Sequence, residues 1–492
     1  MVINDILTIY NHKFFYTFLS ILNIIFLIIV IYKILTSRRD PVGAVVWLFI
    51  VIFIPVVGIL LYFLFGWTRF HTKIKKLAKK SGHIQQLRIA HLRETDKIKA
   101  AEIIETYKKS VKSNTLLLNA FEEQHPPSYG NRIEMLISGN EAYPEMLEAI
   151  DSAEKNICLQ SYIFTDDNIG YEFAERLIKK SESGIAVRVI YDPIGSIKTK
   201  KRFWKMLSKH GIKVESFGSL NFLKRKLRLN FRNHRKNLIV DGKIVFCGGL
   251  NIYDDNYSKY CQNSECFIRD YHFKIQGRGA GYFQAVFASD WFFLTGENIN
   301  GLDYFPALHN ETGDSIIRVI DSNPITNYKV YSLTLLGAIM HAEKNIKIIT
   351  PYFYPEPEIL LALKYAGLSG VEVEIILPEK NEHKIIEYAS QSLYKELLEC
   401  NINIYHRKLP FIHSKAMIID DTWAILGSAN FDYISMRLNF ELCFEAIGKD
   451  IIDRLNKIFE YEKSQSEKVF EFDHNPLKVL RNNFCSLFAP VL

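Results

Sequence analysis

The chain has 492 residues, of which 48% are hydrophobic, and its formal net charge is +7. A chain of this length is too long to fold around one small core, so more than one domain or an internal duplication is expected. The seven cysteines, which include no Cys-x-x-Cys pair, are expected to be buried free thiols in a reducing compartment.

Two apolar runs open the chain. Residues 14–32 are interrupted only by Thr17, Ser20 and Asn23, and residues 42–67 contain Pro55, Gly58 and Gly66, which helices in a bilayer tolerate. A secretory signal would explain the first run alone, but a second run follows and no small-residue cleavage site does. We therefore predict two transmembrane helices within residues 1–67, joined as a hairpin by Arg38-Arg39-Asp40-Pro41.

A basic segment follows the second run, with cations at Arg69, Lys73, Lys75, Lys76, Lys79 and Lys80. The positive-inside rule therefore predicts that the large domain faces the cytoplasm, although the two hairpin arginines argue the other way. Residues 68–130 are charged, have a helical period and end at His125-Pro126-Pro127. They fit a solvated linker helix and a helix on anionic headgroups equally well.

Strands and helices then alternate in a pattern that occurs twice. The segment Ala153-Glu154-Lys155-Asn156-Ile157 is echoed by Ala342-Glu343-Lys344-Asn345-Ile346, and each precedes a strand that ends in aromatic residues. Tyr162 and Tyr352 in these clusters fit a cleft wall and an ordinary core equally. The pattern predicts an α/β fold with a largely parallel sheet, duplicated over residues 131–310 and 311–492, whose copies pack face to face.

The last strand of each copy carries the pattern His-x-Lys-x4-Asp, followed by Gly-x-x-Asn. The residues are His234, Lys236, Asp241 and Asn251 in the first copy, and His413, Lys415, Asp420 and Asn430 in the second. In an extended strand the His and Lys side chains leave the same face. Lysine can neutralise a phosphate oxygen while histidine attacks phosphorus or moves a proton. Two such units supply one nucleophile and one acid-base group, and we expect a site without metal or other cofactor because Lys and Asn donors replace the cation.

Further stretches resemble a known family: Gln160–Phe164, Asn230–Lys236, Arg269–His272, Thr350–Phe353 and Asn439–Glu441, together with the Arg38–Pro41 link. With the paired motifs, they make the chain similar to the phospholipase D superfamily and, over nearly its whole length, to bacterial cardiolipin synthases. The resemblance implies duplicated α/β/α sandwich domains packed around one active site and a phosphohistidine intermediate, with His234 favoured as nucleophile. It also implies that a carboxylate downstream of each motif orients the histidine, namely Asp270 and Glu441. Gly249 stands where the second copy has Ser428, so any contact of the Ser428 hydroxyl is missing from the first copy.

The resemblance implies a multi-pass enzyme of the bacterial cell membrane that joins two phosphatidylglycerol molecules into cardiolipin and releases glycerol. A hydrolytic phospholipase D, or another phosphatidyltransferase of the superfamily, would use the same residues. An inert membrane scaffold is disfavoured because both motifs are intact. The basic and apolar stretch 222–232 suits lipid headgroups or single-stranded nucleic acid. The apolar hairpin favours an anionic membrane surface and no nucleic acid, and the oligomeric state stays open.

Overall fold

The structure, a computed structural model, describes residues 2–36, 41–62, 71–94, 102, 105–107, 124–217, 232–307, 311–325, 329–472 and 474–488. The predicted hairpin link Arg38–Asp40, Arg69 and the basic stretch 222–231 lie outside these residues. The chain forms two compact units, Met1–Lys76 and Leu77–Leu492, each described by itself below.

Among the described residues of the first unit, one helix is long and apolar enough to cross a membrane. Helix α1 spans Val2–Thr36, and its part Tyr16–Thr36 meets the length and hydropathy of a membrane span. The second apolar run forms two shorter helices, α2 (Pro41–Phe53) and α3 (Pro55–Leu61), instead of the single helix predicted. Pro55 has no N–H to continue the helical hydrogen bonds, so the run breaks there.

Helix α1 packs on α2 and α3. Val30 and Ile34 are fully buried against Val51, Ile59 and Tyr62. The hydrogen bonds from Ile54 N to Ile50 O and from Gly58 N to Ile54 O carry the helical ladder across the break. The two apolar runs are therefore folded back on each other, with a kink in the second.

Helix α4 (His71–Glu94) crosses the boundary between the units, and its later part belongs to the second one. The Ser81 hydroxyl donates to Ser289 O at 2.6 Å, and Arg88 Nη2 donates to Ile299 O at 2.6 Å. Both side chains are buried. This stretch is thus a packed part of the second unit, unlike either alternative drawn from the sequence.

The first half of the second unit contains these elements, in chain order: β1 Pro127–Ile137, α5 Ser138–Ser152, β2 Asn156–Ser161, α6 Asn168–Glu182, β3 Ala186–Tyr191, α7 Lys201–Lys209, β4 Lys213–Ser216, β5 Asn237–Val240, β6 Ile244–Gly248, a 3-10 helix Asp254–Asn256, β7 Ile268–Arg269, β8 Tyr271–Gln276 and α8 Ala280–Thr295.

The second half contains these: β9 Ser315–Ser322, α9 Val330–Met340, β10 Asn345–Ile349, β11 Phe353–Tyr354, α10 Pro357–Leu368, β12 Glu372–Pro378, α11 Lys384–Gln391, α12 Tyr394–Glu399, β13 Ile402–Arg407, β14 Phe411–Ile412, β15 Ala416–Ile419, β16 Trp423–Gly427, β17 Phe431–Asp432, α13 Tyr433–Arg437, β18 Glu441–Ile447, α14 Lys449–Ser464, β19 Ser466–Val469 and α15 Pro476–Ser486.

Hydrogen bonding joins both halves into one sheet. Among the described residues, fifteen strands follow the order β19-β13-β12-β10-β15-β16-β18-β9-β1-β8-β6-β5-β2-β3-β4. The halves meet edge to edge where β1 pairs with β9, a junction the sequence did not predict. They also touch across their inner strands, where Phe273 packs on Phe444, so the expected facing contact is present in part.

The sheet is mixed, so the prediction of a largely parallel sheet is wrong. Only β2-β3-β4 and β10-β12-β13 pair in parallel within it, whereas β5 and β15, the strands after the His-x-Lys residues, run antiparallel to their neighbours. Each of these strands turns back into the next at residues with positive φ, Asp241-Gly242 and Asp420-Asp421. Two successive residues with positive φ make a tight hairpin turn, which forces antiparallel pairing.

The prediction of buried free thiols holds for four of the seven cysteines. Cys158, Cys247, Cys443 and Cys485 are free and buried, Cys400 is free but only half-buried, and Cys261 and Cys266 form a disulfide. The backbone turns between them, with Cys266 N donating to Asn263 O, and brings their Cα atoms to 6.7 Å. A pair this close in sequence lay outside the Cys-x-x-Cys spacing considered.

Candidate active site

His234 of the first half is bound by the second half. Its backbone N–H donates to Phe440 O at 2.9 Å, and Nδ1 lies 3.1 Å from Glu441 Oε2. Glu441 begins β18 and is fully buried. The first motif therefore receives its carboxylate from the other copy of the repeat.

His413 repeats this arrangement in the opposite direction. Its backbone N–H donates to Arg269 O at 2.8 Å, and Nδ1 lies 2.8 Å from Asp270 Oδ2. Arg269 precedes Asp270 as Phe440 precedes Glu441, so the two contacts are equivalent by the internal repeat. Asp270 and Glu441 were both selected from sequence, but the exchange between halves was not.

The two lysines complete a shared centre. Lys236 Nζ donates to the backbone O of His234 at 2.7 Å, and Lys415 Nζ lies 2.8 Å from His413 Nδ1. Both are buried, and the positive charges of both lower the pKa of each histidine. Groups from the two motifs are thus close enough to interact electrostatically, as the duplicated pattern predicted.

Burial and charge set the protonation of this centre. Burial first, and then Lys415, lowers the pKa of His413 to about 3, and burial likewise lowers the pKa of His234. Burial would raise the pKa of Asp270 and Glu441, but the neighbouring lysines and histidines hold both below their ordinary values. At neutral pH the free site contains two neutral imidazoles and two carboxylates. A carboxylate that accepts from Nδ1–H leaves the lone pair on Nε2.

The two lysine ammonium groups titrate within reach of neutral pH. Burial lowers the pKa of Lys236 to about 7 and that of Lys415 to about 8. An anionic phosphodiester placed beside them would favour their charged forms. Binding of such an anion would therefore be coupled to protonation of the two lysines.

Ser428 and the two motif asparagines support this centre. The Ser428 hydroxyl donates to Glu441 Oε2 at 2.5 Å, and Asn251 Oδ1 accepts from Ile163 N at 3.1 Å. Asn430 Nδ2 donates to Asp432 Oδ2 at 3.1 Å, while its Oδ1 is buried without a hydrogen-bond partner among the described residues. The asparagines thus hold the loops beside the histidines.

Asp241 and Asp420 do not join the site, which corrects the sequence-based selection. Asp241 accepts hydrogen bonds from the backbone N–H groups of residues 154–156, and Asp420 from those of residues 343–345. Each lies seven residues from its histidine, roughly 20 Å along an extended chain. These carboxylates fix the Glu-Lys-Asn segment of each repeat at the far end of the sheet.

Two aromatic side chains line the histidines. The Tyr162 ring lies 4.9 Å from the His234 ring, and the Tyr352 ring lies 6.2 Å from the His413 ring, both edge to face. Lys236 Nζ is 5.3 Å from the Tyr162 ring centre. The sequence left open whether Tyr162 and Tyr352 line a cleft or belong to an ordinary core. The structure favours the first alternative.

Two networks of ion pairs beside the site, called ionic clamps below, were not predicted from the sequence. Arg235 donates to Asp290 at 2.6 Å and to the Glu441 backbone O at 3.2 Å, and also binds Asp321. On the other side, Glu462 accepts from Arg269 Nε at 2.5 Å and from Arg407 Nε at 2.9 Å.

Each clamp connects the strand of a site carboxylate to a neighbouring element. Arg235 follows His234 directly, and Arg269 precedes Asp270, so the clamps flank the two histidine-carboxylate pairs. Arg235 stands between the histidine and lysine of its motif and could have been noticed, since the second motif has Ser414 there. Glu462 lies in α14 and carries no local signal.

Comparison with known proteins agrees with this geometry. A family model described as "Cardiolipin synthase, PLD-like domain" matches residues 146–291 and 335–463, and a "Phospholipase_D-nuclease N-terminal" model matches residues 21–67. A cardiolipin synthase of Alkalihalophilus pseudofirmus is 33% identical over 453 residues, covering 91% of this chain and 87% of the relative. Cardiolipin synthase 1 of Bacillus anthracis is 31% identical over 97% of this chain and 94% of its own length.

Among solved structures, a phosphatidylserine synthase of Haemophilus influenzae Rd KW20 matches with a TM-score of 0.58. The match covers 73% of this chain and 95% of that one at 15% identity, which is evidence of a common fold. The paired motifs, the shared centre and the fold thus agree with one another.

Proposed function

The chain belongs to the cardiolipin synthase family of the phospholipase D superfamily and is a phosphatidyltransferase, and from this premise we propose that it converts two phosphatidylglycerol molecules into cardiolipin and glycerol. The observation that carries the proposal is the pair of histidines, each held by a carboxylate of the other half and both within the field of two lysines. Two imidazoles in one anion-binding centre suit a double displacement at phosphorus.

In the first step the phosphodiester of one phosphatidylglycerol lies between the histidines, and Lys236 and Lys415 neutralise its oxygens. The added negative charge raises the pKa of the facing imidazole, so that His413 carries a proton. His234 Nε2 attacks phosphorus, the bond from phosphorus to the glycerol oxygen breaks, and His413 gives its proton to the departing glycerol. Glu441 stabilises the positive charge that develops on His234.

In the second step a hydroxyl of another phosphatidylglycerol enters the position that glycerol left. His413 Nε2 takes the hydroxyl proton, the oxygen attacks phosphorus, and the bond to His234 breaks. One phosphodiester replaces another, so the exchange needs no nucleotide. Water in the same position would instead give phosphatidic acid, the product of a phospholipase D.

The test uses the purified full chain in mixed micelles with phosphatidylglycerol labelled in its terminal glycerol. We expect cardiolipin and free glycerol in equal amounts, and the same rate after exhaustive treatment with EDTA. Phosphatidic acid as the main product would assign the chain to the hydrolases. A rate that disappears with EDTA and returns with a divalent ion would contradict charge neutralisation by lysines.

Quenching in alkaline detergent identifies the nucleophile, because the phosphorus–nitrogen bond of a phosphohistidine survives base and is hydrolysed by acid. The phosphatidylglycerol for this test is labelled at its phosphorus, since a label in the terminal glycerol would leave with that glycerol. We expect label to stay attached to protein in wild type and in His413→Asn, because His234 can still form the bond to phosphorus. His234→Asn should trap none. The reverse pattern would exchange the two roles.

We further propose that both apolar runs cross the cell membrane and that the second unit faces the cytoplasm. Lys79 and Lys80, which follow the second run, support this orientation, whereas the Cys261–Cys266 disulfide favours the outer face because thiols stay reduced inside. A Leu302→Cys variant, with its exposed side chain, decides between them. A membrane-impermeant maleimide should label it only after the cells are opened.

A further inference from the structure

The C-terminal helix α15 has an exposed apolar stripe. Its side chains recur at helical spacing on one face and in the turn that follows: Leu477, Leu480, Phe484, Leu487 and Phe488. Leu477 is 77% exposed, and Phe488, the least exposed of the five, is 44% exposed. A contiguous apolar surface of this kind marks a contact with another molecule or with lipid.

The opposite face of α15 is packed on the protein, so the helix has a fixed orientation. Cys485 is buried against Ala389 of α11, and Tyr354 and Tyr388 pack around them. Asn482 Nδ2 donates to Gln391 Oε1 at 3.4 Å, and the Arg481 guanidinium stacks on the Tyr388 ring at 3.6 Å. The apolar stripe therefore faces outward because the other side is occupied.

A short segment connects the contact of this helix with the second motif. Tyr354, which touches the α11–α15 contact, lies two residues after Tyr352, whose ring packs against His413. The Tyr352 ring also contacts His383, the residue immediately before α11. A surface that receives α15 is thus held near the second motif.

The composition of α15 selects the kind of surface. The helix carries two cations, Lys478 and Arg481, and no carboxylate, next to its apolar stripe. Leucine and phenylalanine with flanking cations are typical of helices that lie in the interface of an anionic bilayer. The apolar helix Tyr16–Thr36 of the same chain places the protein at a membrane.

We propose that the stripe Leu477, Leu480, Phe484, Leu487 and Phe488 inserts into the interfacial layer of an anionic phospholipid membrane and docks the second-motif side of the active site on it. The proposal deepens the proposed function, on which it rests for the lipid nature of the substrate. It gives phosphatidylglycerol a short path from the bilayer to His413.

A depth measurement tests the contact directly. The full chain carrying Leu480→Cys, labelled with an environment-sensitive fluorophore, is reconstituted in vesicles of phosphatidylethanolamine and phosphatidylglycerol with brominated acyl chains. The matched control is Leu302→Cys, because Leu302 is also well exposed, at 76% against 67% for Leu480, but lies in the first half and outside the stripe. Wild type taken through the same labelling gives the background.

We expect the label at residue 480 to be quenched by the brominated lipid and the label at residue 302 to remain unquenched. Activity gives a second readout, with Leu480→Ser and Phe484→Ser combined and Leu302→Ser as control. Turnover in vesicles should fall roughly tenfold in the double variant, because apolar area is lost from the lipid contact. Turnover in mixed micelles, where detergent delivers the lipid, should be unchanged.

Absence of quenching at residue 480 would overturn the proposal. The proposal would also be overturned if the label at residue 480 were shielded only in a dimer, and if the double variant broke that dimer. The stripe would then bind a second copy of the chain. Quenching in a protein that makes no cardiolipin from phosphatidylglycerol would support docking while rejecting the substrate. The two proposals therefore fail separately.

Discussion

At the scale of single residues, Glu441 and Asp270 serve opposite histidines with side chains of different length. The longer Glu441 is fixed by the Ser428 hydroxyl and by Asn439 Nδ2, which donates to Oε1 at 3.1 Å. At Gly249, which matches Ser428, a Cβ would lie 2.2 Å from Asp270 Oδ1. The shorter carboxylate thus approaches the backbone so closely that only glycine fits, and the missing hydroxyl has a steric cause.

Replacing either carboxylate by its amide tests the crossed pairs. Glu441→Gln and Asp270→Asn should each lower kcat by roughly 10²–10⁴-fold, because an amide does not stabilise the imidazolium and changes the tautomer. Ser428→Ala, which removes only a neighbour of Glu441, should cost less. The rates are measured in mixed micelles with folding checked by circular dichroism. Wild-type turnover in Asp270→Asn would show that His413 needs no partner from the other half.

The lowered lysine pKa values predict an alkaline loss of activity. Lys236, with a pKa of about 7, and Lys415, with a pKa of about 8, carry the positive charge only below those values. As the pH rises through this range the free enzyme loses both charges, so kcat/KM should fall between pH 7 and pH 9. The carboxylates stay ionised well into the acid range, because their pKa values are lowered. A profile that is flat up to pH 10 would contradict this assignment.

At the scale of elements, the two hairpins β5–β6 and β15–β16 join chemistry to structure. Each hairpin places the histidine and lysine at one end and an aspartate turn at the other, with φ of 53° at Asp241 and 52° at Asp420. The backbone N–H groups that these aspartates bind belong to the repeated Ala-Glu-Lys-Asn-Ile segment. The spacing that both copies share is therefore explained by a turn and its backbone hydrogen bonds as well as by the proposed chemistry.

Asp241→Ala and Asp420→Ala should consequently act on stability. Each leaves three backbone donors without their acceptor, and we expect the free energy of unfolding to fall by about 2 kcal/mol. The turnover of the folded fraction should stay within roughly threefold of wild type, because the site is distant. Thermal unfolding and active-site titration separate the two effects. Loss of turnover at unchanged thermal stability would return these aspartates to the catalytic group.

Local pattern explains which parts of this hairpin design could be predicted. His234, Lys236, His413 and Lys415 were found because two-residue spacing puts side chains on one face of a strand. The antiparallel turn was missed although Asp241-Gly242 is a hairpin signal. The break at Pro55 was not predicted because the second apolar run was identified by its hydropathy. Hydropathy does not register that proline lacks the N–H needed to continue a helix.

At the scale of the whole molecule, the halves are joined by contacts between residues far apart in the chain. Arg235 and Asp321 are one such pair, and Arg269 and Glu462 are another. Neither the edge pairing of β1 with β9 nor the exchanged carboxylates has a signature in adjacent residues. The sequence therefore indicated two halves around one site but not how each half completes the other.

The shared site predicts that subunits do not complement each other. A mixture of His234→Asn and His413→Asn chains should have no more activity than the sum of the separate proteins, because both histidines of a site come from one chain. The mixture is prepared by coexpression and assayed in mixed micelles, with wild type mixed with either mutant as control. Recovery of about a quarter or more of wild-type turnover would indicate sites assembled between chains, as expected when exchanged halves pair at random.

The exchanged carboxylates also constrain how such a gene can change. Two identical single-motif chains in a symmetric dimer would already have lent each other a carboxylate, so joining them end to end would preserve the chemistry from the first generation. After the join, the copies could diverge, and Gly249 opposite Ser428 and Arg235 opposite Ser414 record such divergence. A mutation of Asp270 nevertheless changes the environment of His413, which lies in the other copy. Selection on the site of one copy therefore also acts on residues of the other. Neither half can drift into disuse while its counterpart still performs the reaction.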